Sequence, residues 1–308
     1  MKSTGGSTVD TTNAVHANMQ KAISPVYLIE RPAITPGMLE QFRAQMAATA
    51  QQVLQHEQAR MKSTWHASDH PTALIDHMAT DGIVQHHDEY LTTRQLGFVQ
   101  TEVKINSGIL LSNTRLLTPP YDADWAQGAG SPLSRLDGSM VTMGAEGFSA
   151  SGFGIHLSSP QQVLATIEPV GEYDFSWSGF GDYPSLYSSG GIGITVYRTP
   201  DPAPVMNRRA SLYHVQGPRQ FKGDVGRGSL SDVNAGVNEP GFFRFPLTPF
   251  DLVLEANQNF LVWVWTWQVR AHPQAQSGSK EAAFLSFVGC KVPMIFISTN
   301  AVTYPVLH

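Results

Sequence analysis

The sequence predicts a mainly β protein, a jelly-roll-like antiparallel β-sandwich preceded by an extended N-terminal arm and an α-helical segment. Three observations lead there. Near Gly97 the apolar pattern changes from helical spacing to strand alternation. Strand-like runs then succeed one another without an amphipathic helix between them, which argues for a sandwich or barrel and against a parallel α/β sheet. Charged residues are only 15% of the chain against 27 glycines, 20 prolines and 15 phenylalanines, a composition suited to turns and packed sheets. The chain therefore divides into an arm over residues 1–33, a helical His/Asp-rich segment over 34–96 and a β-sandwich domain over 97–308.

The arm begins polar and small and ends in the strand-like piece Pro25-Val26-Tyr27-Leu28-Ile29-Glu30. Its start lacks the apolar core of a signal peptide, and no run of about 18 apolar residues is present to span a bilayer. The expectation is a chain made in the cytoplasm without a signal peptide, with a virion or other assembled particle as a destination. A helix starts at Thr35-Pro36, a capping residue followed by a first-turn proline, and runs toward Met61. Leu39, Phe42, Met46, Ala50, Val53 and Leu54 fall three or four apart and form one apolar stripe. The stripe can dock on the β domain of the same chain, which the shortness of the repeat and the interruption at Thr49 favour. It can also pair with other copies in a bundle, which makes Leu39, Phe42, Met46 and Val53 candidate self-association residues.

Between Trp65 and Tyr90, His66, His70, His77, His86 and His87 alternate with acidic residues. A short helix from Pro71 closed by Gly82 places His70, His77 and Asp81 along one side, the strongest metal-ligand candidates in the chain. Their spacing matches no histidine-metal signature, and His56-Glu57-Gln58-Ala59-Arg60 fails the His-Glu-x-x-His pattern at its last position, so a solvated acidic face is preferred to a metal site. No cofactor is called for.

In the β domain, runs follow at Val99–Ile105, Ile109–Leu117, Met140–Ala145, Gly152–Leu157, Gln162–Glu168, Tyr173–Trp177, Gly191–Arg198, Ser211–Val215, Phe242–Phe245, Asp251–Glu255, Asn259–Ala271 and Ala283–Ile297. The last is long enough to need a bend or bulge at Gly289 or Pro293. The segments Tyr121–Gly138 and Gly217–Gly241 serve as long loops between the sheets. Within the second, Gly223–Ser229 lacks the lysine and spacing of a phosphate loop and reads as a partner-contacting loop. Asp122, Asp124, Asp137 and Glu146 are turn residues rather than a calcium loop. Neither Gly147–Gly152 nor Ser176–Tyr183 fits the Gly-x-Ser-x-Gly nucleophile pattern. Cys290, the single cysteine, excludes an intramolecular disulfide and sits in an apolar run as a buried thiol.

The sharpest local pattern is Phe260–Val269. Trp263, Trp265 and Trp267 share one strand face, about 7 Å apart, and Phe260, Val262, Val264 and Thr266 share the other. The indole row fits buried packing, a subunit contact or a platform for successive sugar rings. Arg208 and Arg209 belong to the only modest basic concentration. The prolines at 200, 202 and 204 read as an extended exposed connection that offers these arginines to an acidic neighbour. A net charge of −5 without a basic block excludes a general attraction to nucleic acid. These features are best gathered by a non-enzymatic, self-assembling structural subunit of capsid or appendage type, partnered by copies of itself or other structural subunits. The alternatives are a carbohydrate-binding sandwich module with a glycan on the tryptophan row, and a pore-forming toxin. An enzyme is disfavoured because the β domain holds only isolated histidines.

Overall fold

The computed structural model describes residues 29–65, 114–144, 147–180, 187–216, 222–235, 245–271 and 283–301. One helix, α1 (Pro36–Trp65), opens it. Thr35 caps the helix by accepting the Met38 N–H at 3.3 Å, as the Thr-Pro signal predicts. The strands are β1 (Thr114–Leu117), β2 (Ala123–Gly128), β3 (Leu133–Ser134), β4 (Ser139–Met143), β5 (Gly147–Ser158), β6 (Val163–Phe180) and β7 (Tyr187–Thr199). There follow β8 (Pro204–Gln216), β9 (Lys222–Ser229), β10 (Asn234–Ala235), β11 (Phe245–Pro246), β12 (Phe250–Leu254), β13 (Asn259–Ala271) and β14 (Ala283–Ala301).

Two antiparallel sheets form the predicted sandwich. The first runs β2-β5-β13-β7-β8. The second runs β12-β6-β14-β4-β3, with β1 also on β14 and β9 also on β6. The long strand β6 carries β12 along its first half and β9 along its second, end to end on the side away from β14. Pro293 marks the irregularity in β14, where the register with β6 shifts between Lys291 and Met294. Proline cannot donate to a ladder, and the break gives Pro293 a place in β14. Gly289 lies within the regular ladder.

Three layers result, because β13 is buried on both faces. Phe260, Val262 and Val264 point between the sheets with Phe153, Ile155, Ile194, Val196, Ile295 and Ile297. Leu261, Trp263, Trp265, Trp267 and Val269 point the other way, under α1. No helix among the described residues is long and apolar enough to cross a membrane.

Several sequence expectations need correction. Gln162–Glu168 and Tyr173–Trp177 are one strand, β6, since Pro169 stays within its ladder opposite Ile295. The presumed loop Tyr121–Gly138 contains β2 and β3, and Gly217–Gly241 contains β9 and β10. Gly223–Ser229 is a paired strand, not a loop, because its glycines let it lie against the rings of Phe175 and Tyr173 on β6. Arg208 and Arg209 sit on β8, an edge strand in register with Ile194 and Gly193, rather than on an exposed connection. The arm before Ile29, the run Val99–Ile105, Glu146 and the histidine-rich cluster with His70, His77 and Asp81 lie outside the described residues.

Candidate functional site

The tryptophan row is the chain's most distinctive chemistry, and its surroundings decide what it can do. Alternation along β13 aims all three indoles at the outer face of the first sheet. The flanking strands make room for them. Trp265 stands directly between Gly152 on β5 and Gly193 on β7. A Cβ at Gly193 would come within 2.5 Å of the Trp265 ring, and one at Gly152 within 2.6 Å of the Val264 carbonyl oxygen. Trp263 pairs with Gly154, and Trp267 with Ala150 and Gly191.

Helix α1 closes the face. Phe42, Met46, Ala50 and Val53 are buried against the row, with Leu39 and Leu54 half-buried beside them. The stripe offered for self-association is thus occupied within the chain. Trp263 and Trp265 are 0% exposed and Trp267 1%. Trp265 Nε1 donates to Thr195 Oγ1 at 3.1 Å, whereas Trp263 Nε1 and Trp267 Nε1 meet no acceptor among the described residues. Apolar burial rather than hydrogen bonding therefore holds the row.

Polar groups fix the helix in register on the sheet. The Tyr197 hydroxyl donates to the Gln45 carbonyl oxygen at 2.8 Å and bonds the Thr49 hydroxyl, so the residue that interrupts the stripe is the one that finds a partner on β7. Burial raises the Tyr197 pKa, partly offset by Thr49. Glu57, itself buried, accepts from the Tyr187 hydroxyl. Gln45 Nε2 reaches the Asp201 carbonyl oxygen at 2.7 Å, and Arg43 pairs with Asp124 at 3.0 Å.

Whether a ligand can reach the row is a question of magnitude. Burying Phe42, Met46 and Val53 contributes roughly 1.5–3 kcal/mol apiece, so lifting α1 costs on the order of 5–10 kcal/mol before the indoles are counted. A millimolar ligand supplies about 4 kcal/mol. The helix wins, and the row is a structural layer rather than an open sugar platform.

Comparison adds no family. No protein-family model matches the chain, and neither does any curated protein. Among solved structures, TmCBM61 in complex with β-1,4-galactotriose aligns over 61% of this chain and 90% of its own, at 9% identity and a TM-score of 0.19. A likeness that weak carries no argument about this chain.

The remaining candidates resolve into structural pairs. Asp122 binds Arg31 at 2.7 Å and accepts the His156 N–H at 2.8 Å, and Asp137 meets Lys291 at 3.1 Å. Among the described residues no group of three or more His, Cys, Asp or Glu is placed to hold a metal. Between the sheets, Gln268 Nε2 donates to the Thr142 carbonyl oxygen at 2.6 Å and Gln268 Oε1 accepts from Ser286 Oγ at 2.7 Å. Tyr213 joins this seam with its pKa pushed up to about 12, by burial first, against the opposing bonds of Ser188 and Ser286. The seam consists of neutral hydroxyls and an amide sealed from solvent, which pins the sheets together and offers no base for a nucleophile. Burial, and then Asp174, pushes the Cys290 thiol up, so it stays protonated.

His156, on β5, links the arm to the body. Its ring packs edge-on to Phe42, with centroids 5.9 Å apart, and its Nδ1 lies 3.1 Å from the Pro32 carbonyl oxygen. Burial holds its pKa below the ordinary 6.5, despite the opposing effects of Pro32, Asp122 and Asn259. The unfolded chain therefore takes up this proton first as pH falls. Stability present above about pH 6.5 is lost as pH drops through that unfolded value toward the lower folded one. His156→Gln is expected to flatten this part of the stability–pH curve, measured by denaturant unfolding, and an unaltered acid slope would contradict the assignment.

The polar anchors Thr49, Glu57, Tyr187 and Tyr197 were not singled out from sequence as site residues. The available signal was the glycines Gly152, Gly154 and Gly193 on the flanking strands, where a Cβ would crowd Trp265 or Trp263.

Proposed function

We propose that the chain is a non-enzymatic structural subunit that assembles with copies of itself, of the kind that builds a capsid or appendage. The observation that supports this is the placement of exposed apolar side chains. Leu116, Leu133, Leu136, Val205, Val225 and Val253 are the large apolar residues exposed among those described. Five lie on β1, β3, β8, β9 and β12, each at an outer edge of its sheet, and Leu136 lies in the turn beside β3. Exposed apolar residues on edge strands favour edge-to-edge association, because among the described residues such strands leave one side of the ladder unpaired and present a surface that gains by burial. With the tryptophan row covered, a carbohydrate-binding role requires some other face.

Light scattering across a concentration series between pH 5 and 8 tests the reading. The expected result is a discrete species of several chains whose population rises with concentration. A monomer at every concentration and pH would overturn it.

A further inference from the structure

The eight-residue strand β9, Lys222-Gly223-Asp224-Val225-Gly226-Arg227-Gly228-Ser229, pairs with β6 on one side and with no other strand among the described residues. Val225 is 60% exposed, the most exposed of the large apolar residues among those described. Its N–H is taken by the neighbouring Asp224 Oδ1 at 2.9 Å, which places that N–H on the open side of the strand. In an antiparallel ladder alternate residues direct both backbone groups to the same side, so Gly223 and Arg227 also face outward. Arg227 is tethered to Glu172 of β6 at 2.6 Å.

We propose that β9 pairs with β9 of a second copy across a two-fold axis, joining the two larger sheets into one. This rests on the self-assembly reading and names its interface. A two-fold axis perpendicular to the sheet must pass through a residue pair of equal number, since side chains opposite one another in an antiparallel ladder share a face. Centred on Val225, the register brings Val225 against Val225, Arg227 against Gly223, Asp224 against Gly226 and Lys222 against Gly228. Val225 meets its own symmetry mate, Arg227 and Asp224 each meet a glycine, and the three outward-facing positions become hydrogen-bonded pairs. Gly226 and Gly228 also lie over the rings of Phe175 and Tyr173, where a Cβ would approach to 2.2 and 2.8 Å, so their smallness serves both sides of the strand. The two Asp224 carboxylates become diagonal neighbours and each must release its Val225 N–H, which keeps the edge from pairing strongly. A contact this short falls below the area of a standard interface, so association is concentration-dependent.

Three variants in sedimentation equilibrium, with thermal unfolding as a folding control, test the pairing. Val225→Pro removes the outward donor without removing a β6 bond and is expected to weaken self-association on the order of tenfold or more, with unfolding little changed. Asp224→Asn is expected to strengthen it about twofold to fivefold, a gain that misfolding cannot imitate. Val225→Cys is expected to give a disulfide-linked dimer on mild oxidation, the paired Cα atoms standing about 5.5 Å apart. Val205→Cys on β8 is the control that does not, and native Cys290 is buried. If the wild type associates but Asp224→Asn gains nothing and Val225→Cys fails to cross-link, the β9 contact is overturned while self-assembly stands. A wild type that stays monomeric overturns both.

Discussion

Trp265→Ala is expected to destabilise the fold by about 3–5 kcal/mol, measured by denaturant unfolding. The side chain is 0% exposed, stands between two glycines that leave no neighbour able to refill its volume, and bonds Thr195 from its ring nitrogen. Its loss opens a cavity at the centre of the first sheet and removes the surface on which α1 rests. A variant that keeps its stability and loses only retention on immobilised sugar would return the row to a ligand-facing role.

Phe42→Ala is expected to cost a similar amount, about 3–5 kcal/mol, through a different contact. Phe42 is 0% exposed and packs both on the aromatic layer and on the His156 ring. Truncating it loosens the helix from the sheet, so tryptophan emission should shift to longer wavelength under conditions where the fold persists. Unchanged emission together with unchanged stability would mean that α1 does not seal the row.

Much of the architecture was legible because its determinants are local. Thr35-Pro36 marks the start of α1, and an apolar run with both faces apolar places Asn259–Ala271 at the bounds that β13 adopts. Proline chemistry singles out Pro293 as one of two candidate breaks in β14. Residues whose role depends on a partner strand were harder to read. The glycines of β9 read as a loop because glycine is permissive on its own, and only the rings of Phe175 and Tyr173 across the ladder show why a strand needs them there. Thr49 read as an interruption of the stripe, since its partner Tyr197 is distant in sequence. Burial of the indoles likewise depends on three separate strands and the helix meeting at one face. The apolar stripe of α1 was legible as a stripe, and what it covers required the fold.

The tryptophan row is sealed inside the subunit, and copies of the subunit are proposed to meet at their sheet edges. Hydrogen exchange read by mass spectrometry at low and high protein concentration tests both at once. The expected result is strong protection of β13 and of α1 through Val53 at either concentration, with β9 gaining protection as concentration rises. Rapid exchange in α1 and β13, or edge strands indifferent to concentration, would contradict it.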